Sequence, residues 1–197
     1  MLKILELFCG AGGWSRGFKD IFPNAEFTGV DINNFRKNYP FNFIQADLLD
    51  WKPTENYDIV LASPPCSEFS EIKRHTAQPY DERIGLDLVW RSFYLINSIK
   101  PHFWVLENVW GLSEFIGPPK DIVRYRKAKN GKRAYLWGCF PDLGFFDEDI
   151  NYKPQAWHFK NGYGRNASML HGLIPLALSR QMAKQMKGNN WIRNKLN

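Results

Sequence analysis

Short apolar runs separated by turn residues recur along the chain, and they alternate with stretches whose apolar residues return every three or four positions. The runs at 2–8, 26–32, 42–46, 57–63, 103–109 and 134–140 have the length and apolar content of buried strands. Between the first two, 12–22 has helical spacing. The clearest helix is 85–99, where Leu86, Val89, Phe93, Leu95, Ile96 and Ile99 share the spacing and Pro101 stops it. A further helix is expected over 170–186, interrupted early by Pro175. Alternating strands and helices predict an α/β fold: a doubly wound, mostly parallel sheet with its site at the carboxyl ends of the strands. Two stretches break the pattern. Residues 71–83 are polar with little periodicity and read as a mobile loop, and 145–163 read as an irregular aromatic and polar connection.

Composition narrows the class. A chain of 197 residues with 44% hydrophobic residues suits one domain with a full core. The net charge of +6 is modest but unevenly spread: Lys120, Arg124, Arg126, Lys127, Lys129, Lys132 and Arg133 crowd one segment. Arg180, Lys184, Lys187, Arg193 and Lys195 form a second cluster, and a polyanionic partner would account for both. Three cysteines without metal-ligand spacing speak against a disulfide framework or a zinc site. The first residues enter a strand pattern without a signal peptide, and no apolar run approaches a membrane span, so a cytoplasmic protein is expected.

Three segments carry candidate chemistry. Phe8-Cys9-Gly10-Ala11-Gly12-Gly13 follows a strand and opens a helix, a place where a ligand can lie against bare backbone near a helix N-terminus. Asp31 ends the second strand, where a carboxylate can accept both hydroxyls of a ribose, and Asp47 ends the third, where it can accept from an adenine amino group. An adenosyl ligand is the economical reading. Ser63-Pro64-Pro65-Cys66 places a cysteine at the tip of a strand behind two prolines that fix the backbone, which suits a presented nucleophile. Cys9 reads as packing within the turn, and Cys139 as an inert residue inside an apolar strand. Glu107 is a carboxylate late in an otherwise apolar strand, a costly position unless it is partnered or used. Arg133 opens the last strand at the same edge.

Taken together, these segments resemble the DNA (cytosine-5)-methyltransferase family. The likeness lies in the glycine motif (Phe8, Gly10, Gly12, Gly13), Pro64-Pro65-Cys66 followed by Phe69-Ser70, and Glu107-Asn108-Val109. Arg133 to Gly138 resembles the end of the family's Gln-x-Arg-x-Arg motif, and Ile174-Pro175 with the helix after it resembles the last motif. The resemblance implies the Rossmann-like fold of S-adenosylmethionine-dependent methyltransferases. It also implies S-adenosyl-L-methionine as cofactor, without a metal, held by Phe8, Gly10, Ala11, Gly12, Gly13, Asp31, Ile32, Asp47, Leu48 and Pro64. DNA is the implied partner, with Cys66 adding to carbon 6 of cytosine, Glu107 at ring nitrogen 3 and Arg133 at the exocyclic oxygen. The target base would have to leave the stack, and 71–83 would close over it.

The chain also departs from that pattern. Lys129 and Gly131 stand where the family has the glutamine and first arginine, and His171-Gly172-Leu173 stands where it has Gly-Asn. The stretch between Arg133 and Leu170 is too short for the family's target-recognition region, so a very short or absent insert is expected around 141–168. Recognition is then minimal, through Trp157, His158, Tyr163 and the basic stretch, or supplied by a separate subunit, or eased by a single-stranded or RNA substrate. A catalytically weak nucleic-acid-binding subunit of the same fold, RNA cytosine methylation, and a dinucleotide-dependent oxidoreductase are the alternatives. The last leaves Pro64-Pro65-Cys66 unexplained.

Overall fold

A computed structural model describes residues 1–69, 82–124, 133–144 and 174–196. Within them lie β1 (Lys3–Leu7), α1 (Gly13–Ile21), β2 (Glu26–Asp31), β3 (Asn42–Gln45) and β4 (Ile59–Ala62). After these come α2 (Glu82–Ile99), β5 (Phe103–Asn108), the short α3 (Ser113–Ile116), β6 (Asp121–Arg124), β7 (Arg133–Cys139), α4 (Leu176–Lys187) and α5 (Asn190–Leu196). The strands form one seven-stranded sheet in the order β3-β2-β1-β4-β5-β7-β6. Strands β1 to β5 pair in parallel, and β7 is antiparallel to both β5 and β6.

Parallel strands buried on both faces need apolar residues at every position, and β4 (Ile59, Val60, Leu61, Ala62) has them, all fully buried. Successive residues point to opposite faces, so each strand feeds two cores. One core joins Ile4, Ile59, Leu61, Phe103 and Val105 to Trp14 and Phe18 of α1 and to Leu178, Met182 and Met186 of α4. The other joins Leu5, Leu7, Val60, Ala62 and Leu106 to Val89, Leu95, Ile96 and Ile99 of α2. Each fully buried Leu, Ile or Phe of these layers contributes about 1.5–3 kcal/mol relative to exposure.

Helix α4 brings the end of the chain back to its beginning. A Cβ on Gly17 would stand 2.5 Å from the Ser179 Cβ, so the two helices meet where α1 has no side chain. The Ser179 hydroxyl donates to the Trp14 carbonyl across that seam.

The expected strands appear with ends shifted by a residue or two; β4 begins at Ile59 and not at residue 57, and β7 runs Arg133–Cys139. Strand β6 was not anticipated, because Asp121 and Arg124 in a four-residue edge strand carry no apolar run. Nor was α5, which has only Ile192 buried. The expected helix over 170–186 begins only at Leu176, since Pro175 serves as its N-cap, and it extends to Lys187. Residues 170–173 lie outside the described residues, as do the irregular connection at 145–163 and all but 141–144 of the insert expected around 141–168. Of the loop expected at 71–83, Glu82 and Arg83 belong to α2, and 71–81 fall outside the described residues. Cys139 is exposed, not buried, because it is the last residue of β7 at the rim of the sheet. Among the described residues no helix is long and apolar enough to cross a membrane.

Candidate active site

The glycine segment turns the chain from β1 into α1 by three left-handed residues: Phe8 at φ 56°, Gly10 at φ 48° and Gly12 at φ 83°. Glycine takes that conformation without strain, whereas Phe8 takes it at a cost of order 1–3 kcal/mol that the surrounding structure must hold. Two carboxylates hold it. The Gly10 N–H donates to Asp31 Oδ2 at 3.0 Å, tying the turn to the end of β2. Beneath the turn, Glu6 is 3% exposed and accepts the N–H groups of Trp14 and Ser15 at 3.1 and 3.0 Å. It thereby satisfies orphan donors at the N-terminus of α1. The Ser15 hydroxyl bonds to both Glu6 and Tyr39, the latter at 2.8 Å. Burial raises the Glu6 pKa to about 7, against the lowering effect of those donors.

Above the turn there is room. A Cβ placed on Gly10 would meet nothing within 4 Å. Ala11 is buried, and its carbonyl accepts from Arg16 Nε at 2.8 Å. Gly13 lies so close to the Ile174 backbone that a Cβ would stand 2.8 Å from its nitrogen, so the segment before α4 closes one side of the turn. Asp31 also accepts from the Asn33 N–H at 2.9 Å, and burial pushes its pKa above the usual carboxylate value. Ile32 beside it is 58% exposed, an apolar side chain left open at the carboxyl edge. Asp47 is exposed and accepts from the Leu49 N–H at 2.9 Å in a turn of its own. Leu48 is buried in the α2 core, while Leu49, which sequence reading passed over, is 45% exposed.

Cys66 is exposed, on the turn that leaves β4. That turn is held at both ends. Before it, the Pro64 carbonyl accepts from Asn108 Nδ2 at 3.0 Å. Asn108 is 1% exposed, and its own Oδ1 accepts the Val109 N–H at 2.9 Å. After it, Cys66 C=O accepts the Phe69 N–H at 3.1 Å, closing a 3₁₀ turn over Ser67–Phe69. The Phe69 ring is fully buried against Phe115, and its carbonyl lies where a Cβ on Gly111 would stand, at 2.1 Å. A segment fixed at both ends presents its middle residue with little conformational freedom.

Glu107 sits half-buried at the end of β5, and β4 runs alongside with Ala62 opposite Leu106. The residues bearing Cys66 and Glu107 therefore leave adjacent strands at the same edge, and Asn108 connects them. Glu107 also lies opposite Leu136 of β7, so Arg133, at the start of that antiparallel strand, reaches the same edge. Lys129, Gly131 and Lys132 lie outside the described residues. Cys9 is buried, and burial with the neighbouring Glu6 and Asp31 raises its thiol pKa far above the ordinary value, which keeps it inert.

Sequence reading missed Glu6 and the role of Asn108. Glu6 had a signal, an acid in the apolar run Ile4–Leu7, of the kind that singled out Glu107. The partner of Asn108 lies 44 residues away, and no local pattern reveals it. Among the described residues no cluster of His, Cys, Asp or Glu is arranged to hold a metal ion.

The chain belongs to the C-5 cytosine-specific DNA methylase family, whose model matches residues 2–116. It is 28% identical over 199 residues to the type II methyltransferase M.FnuDI of Fusobacterium nucleatum, covering 96% of this chain and 55% of that protein. It is 33% identical over 119 residues to M.NgoFVII of Neisseria gonorrhoeae, covering 56% of this chain and 31% of that one. A human tRNA (cytosine(38)-C(5))-methyltransferase is 26% identical over 138 residues, covering 62% and 33%. The chain thus spans about half, or less, of the length of the curated relatives it matches.

Proposed function

We propose that this chain transfers a methyl group from S-adenosyl-L-methionine to carbon 5 of cytosine in DNA, through a covalent bond between Cys66 and carbon 6 of the base. The observation that carries the reading is the 3.0 Å hydrogen bond from Asn108 to the Pro64 carbonyl, which locks the nucleophile's turn to the strand that bears Glu107. A thiolate and a carboxyl group must grip the same ring, and this bond fixes the two supports relative to each other.

The glycine turn suits the cofactor. The open space over Gly10, the exposed apolar Ile32 and Leu49, and the Asp31 and Asp47 carboxylates form a cradle for an adenosyl group. Phe8, Gly10, Ala11, Gly12 and Gly13 would lie along it, and Leu48 and Pro64 are the further residues read as contacts of the cofactor. S-adenosyl-L-methionine, when bound, supplies an electrophilic methyl group and leaves as S-adenosyl-L-homocysteine.

The side chains of the protein prepare the base for it. Carbon 5 of cytosine is a poor nucleophile until a soft nucleophile saturates carbon 6. Cys66 sulfur forms that bond while Glu107 holds or protonates ring nitrogen 3 and Arg133 holds the exocyclic oxygen. After methylation the proton leaves carbon 5, the carbon–sulfur bond breaks, and the aromatic ring and the thiolate return. The base must be out of its stack for either atom to be reached.

The whole chain is read as one catalytic domain with at most a small recognition insert, so sequence specificity falls to the substrate's own exposure or to a second subunit. RNA as substrate is the second reading, favoured by the likeness to the human tRNA enzyme. Transfer of tritium from labelled S-adenosyl-L-methionine to DNA and to tRNA, by the wild type and by Cys66→Ala, tests both. The variant keeps cofactor binding and loses transfer; transfer that survives it refutes the covalent route.

A further inference from the structure

Around Arg133, the β5-β7-β6 end of the sheet carries residues that the chemistry above leaves unused. Arg124 of β6 and Arg133 of β7 stand directly opposite each other in the antiparallel register, and both are exposed. Like charges in direct cross-strand pairing destabilise a sheet, and an anion held between or beside them relieves that repulsion. Ile122 and Tyr135 form another pair of the same ladder, two residues further along, so their side chains share the face of the two arginines. Ile122 is 43% exposed.

Trp110 completes the group. It follows Glu107-Asn108-Val109 directly, in the 3₁₀ turn Trp110–Leu112, and is 47% exposed. Its ring lies 5.5 Å from that of Tyr135 at an interplanar angle of 54°. The nearest acid on the edge strand does not oppose the cations: Asp121 turns back to accept the Ile122 N–H at 2.7 Å, and alternation sets it on the other face. Gly111, next to Trp110, is the residue against which the Phe69 carbonyl packs, so this turn and the turn after Cys66 touch.

An exposed indole backed by a second ring, beside two facing guanidinium groups, has the chemistry that binds unpaired nucleic acid: π-faces for bases and cations for phosphates. We propose that Trp110, Tyr135 and Arg124 form a docking surface for the single strand flanking the target cytosine. Trp110 stacks on a base next to the one presented to Cys66, and Arg124 holds a flanking phosphate while Arg133 stays with the target base. The proposal rests on the methyl-transfer reading for its substrate, and on it the chain grips an unstacked strand and reads little sequence.

The test is fluorescence anisotropy of a short labelled cytosine-containing single-stranded DNA titrated with the full chain in the presence of S-adenosyl-L-homocysteine. Arms with the same sequence as duplex and as RNA separate the sources of the strand. Trp110→Ala weakens single-strand binding roughly ten- to a hundredfold, and Trp110→Phe restores most of it, since any aromatic face can stack. Arg124→Gln lowers the slope of log affinity against log salt by about 0.7, one phosphate's share. Trp90→Ala, which removes another exposed tryptophan held on α2 against Phe93, leaves binding unchanged. Wild-type affinity in Trp110→Ala, or an equal loss in Trp90→Ala, overturns the proposal. Methyl transfer is measured on the same strands: binding that depends on Trp110 without any transfer sinks the methylation reading and leaves the surface standing, and transfer with Trp110-independent binding does the reverse.

Discussion

The two halves of the sheet's carboxyl edge are built on opposite plans. On the β1–β3 side the carboxylates are already engaged: Glu6 with the start of α1, Asp31 with Gly10 and Asn33, Asp47 with Leu49. The backbone there is bent into a turn that these bonds hold. On the β4–β6 side the chain instead fixes its supports through Asn108, Phe69 and Gly111 and leaves exposed the groups proposed to meet the substrate, Cys66, Trp110, Arg124 and Arg133. A small, invariant ligand rewards a preformed site, whereas a base drawn out of a polymer needs groups that are reachable and a frame that does not move.

The comparison breaks most sharply at Asn108. Asn108→Ala removes the donor to Pro64 and leaves a buried carbonyl unpaired, which costs about 1–3 kcal/mol of stability. It also frees the turn of Cys66, and a displacement of about 1 Å at a reacting atom lowers turnover by about 100-fold. Methyl-transfer kinetics should show a much larger loss in kcat than in the Kd for S-adenosyl-L-homocysteine, to which Pro64 is one contact among many; an equal loss in both would mean that the two halves are not separately built.

Asp31→Ala attacks the other half. It releases Gly10 and removes the acceptor for ribose hydroxyls, so cofactor binding weakens by about 1–3 kcal/mol, read by calorimetry, while single-strand DNA binding stays as in the wild type. Glu6 has the smallest effect on chemistry and a distinct signature. Its pKa is raised from 4.5 to about 7, so the folded chain holds a proton that the unfolded chain releases between those values. Its contribution to stability is therefore greatest below pH 4.5 and falls as the pH rises through 7. Melting temperature should drop between pH 5 and pH 8, and Glu6→Gln should flatten that part of the curve. A slope identical in both proteins contradicts the assignment.

Much of this division was legible in the sequence, because the residues that make it sit at the ends of apolar strands. The glycine turn, Asp31, Asp47, the Pro64-Pro65-Cys66 turn and Glu107 all follow runs whose length and apolar content fix where a strand stops. What stayed hidden depends on contacts between distant segments. Asn108 gave no local sign of its bond to Pro64, and Gly17 no sign that Ser179 would lie against it. Strand β6 was hidden by its charges, so Arg124 was counted as one of a basic run and its pairing with Arg133 could not be seen. Leu48 and Leu49 illustrate the same limit: two identical side chains in succession, of which the fold buries one and exposes the other.

The covalent step admits one direct measurement. DNA carrying 5-fluorocytosine, incubated with the chain and S-adenosyl-L-methionine, cannot release fluorine from carbon 5 as it would a proton, so the sulfur bond should persist. Intact-mass analysis under denaturing conditions should show protein and DNA joined through the peptide containing Cys66, with one added methyl group, and no such species from Cys66→Ala. Methylation of ordinary cytosine without a trapped adduct, or an adduct mapped to another residue, would contradict the account.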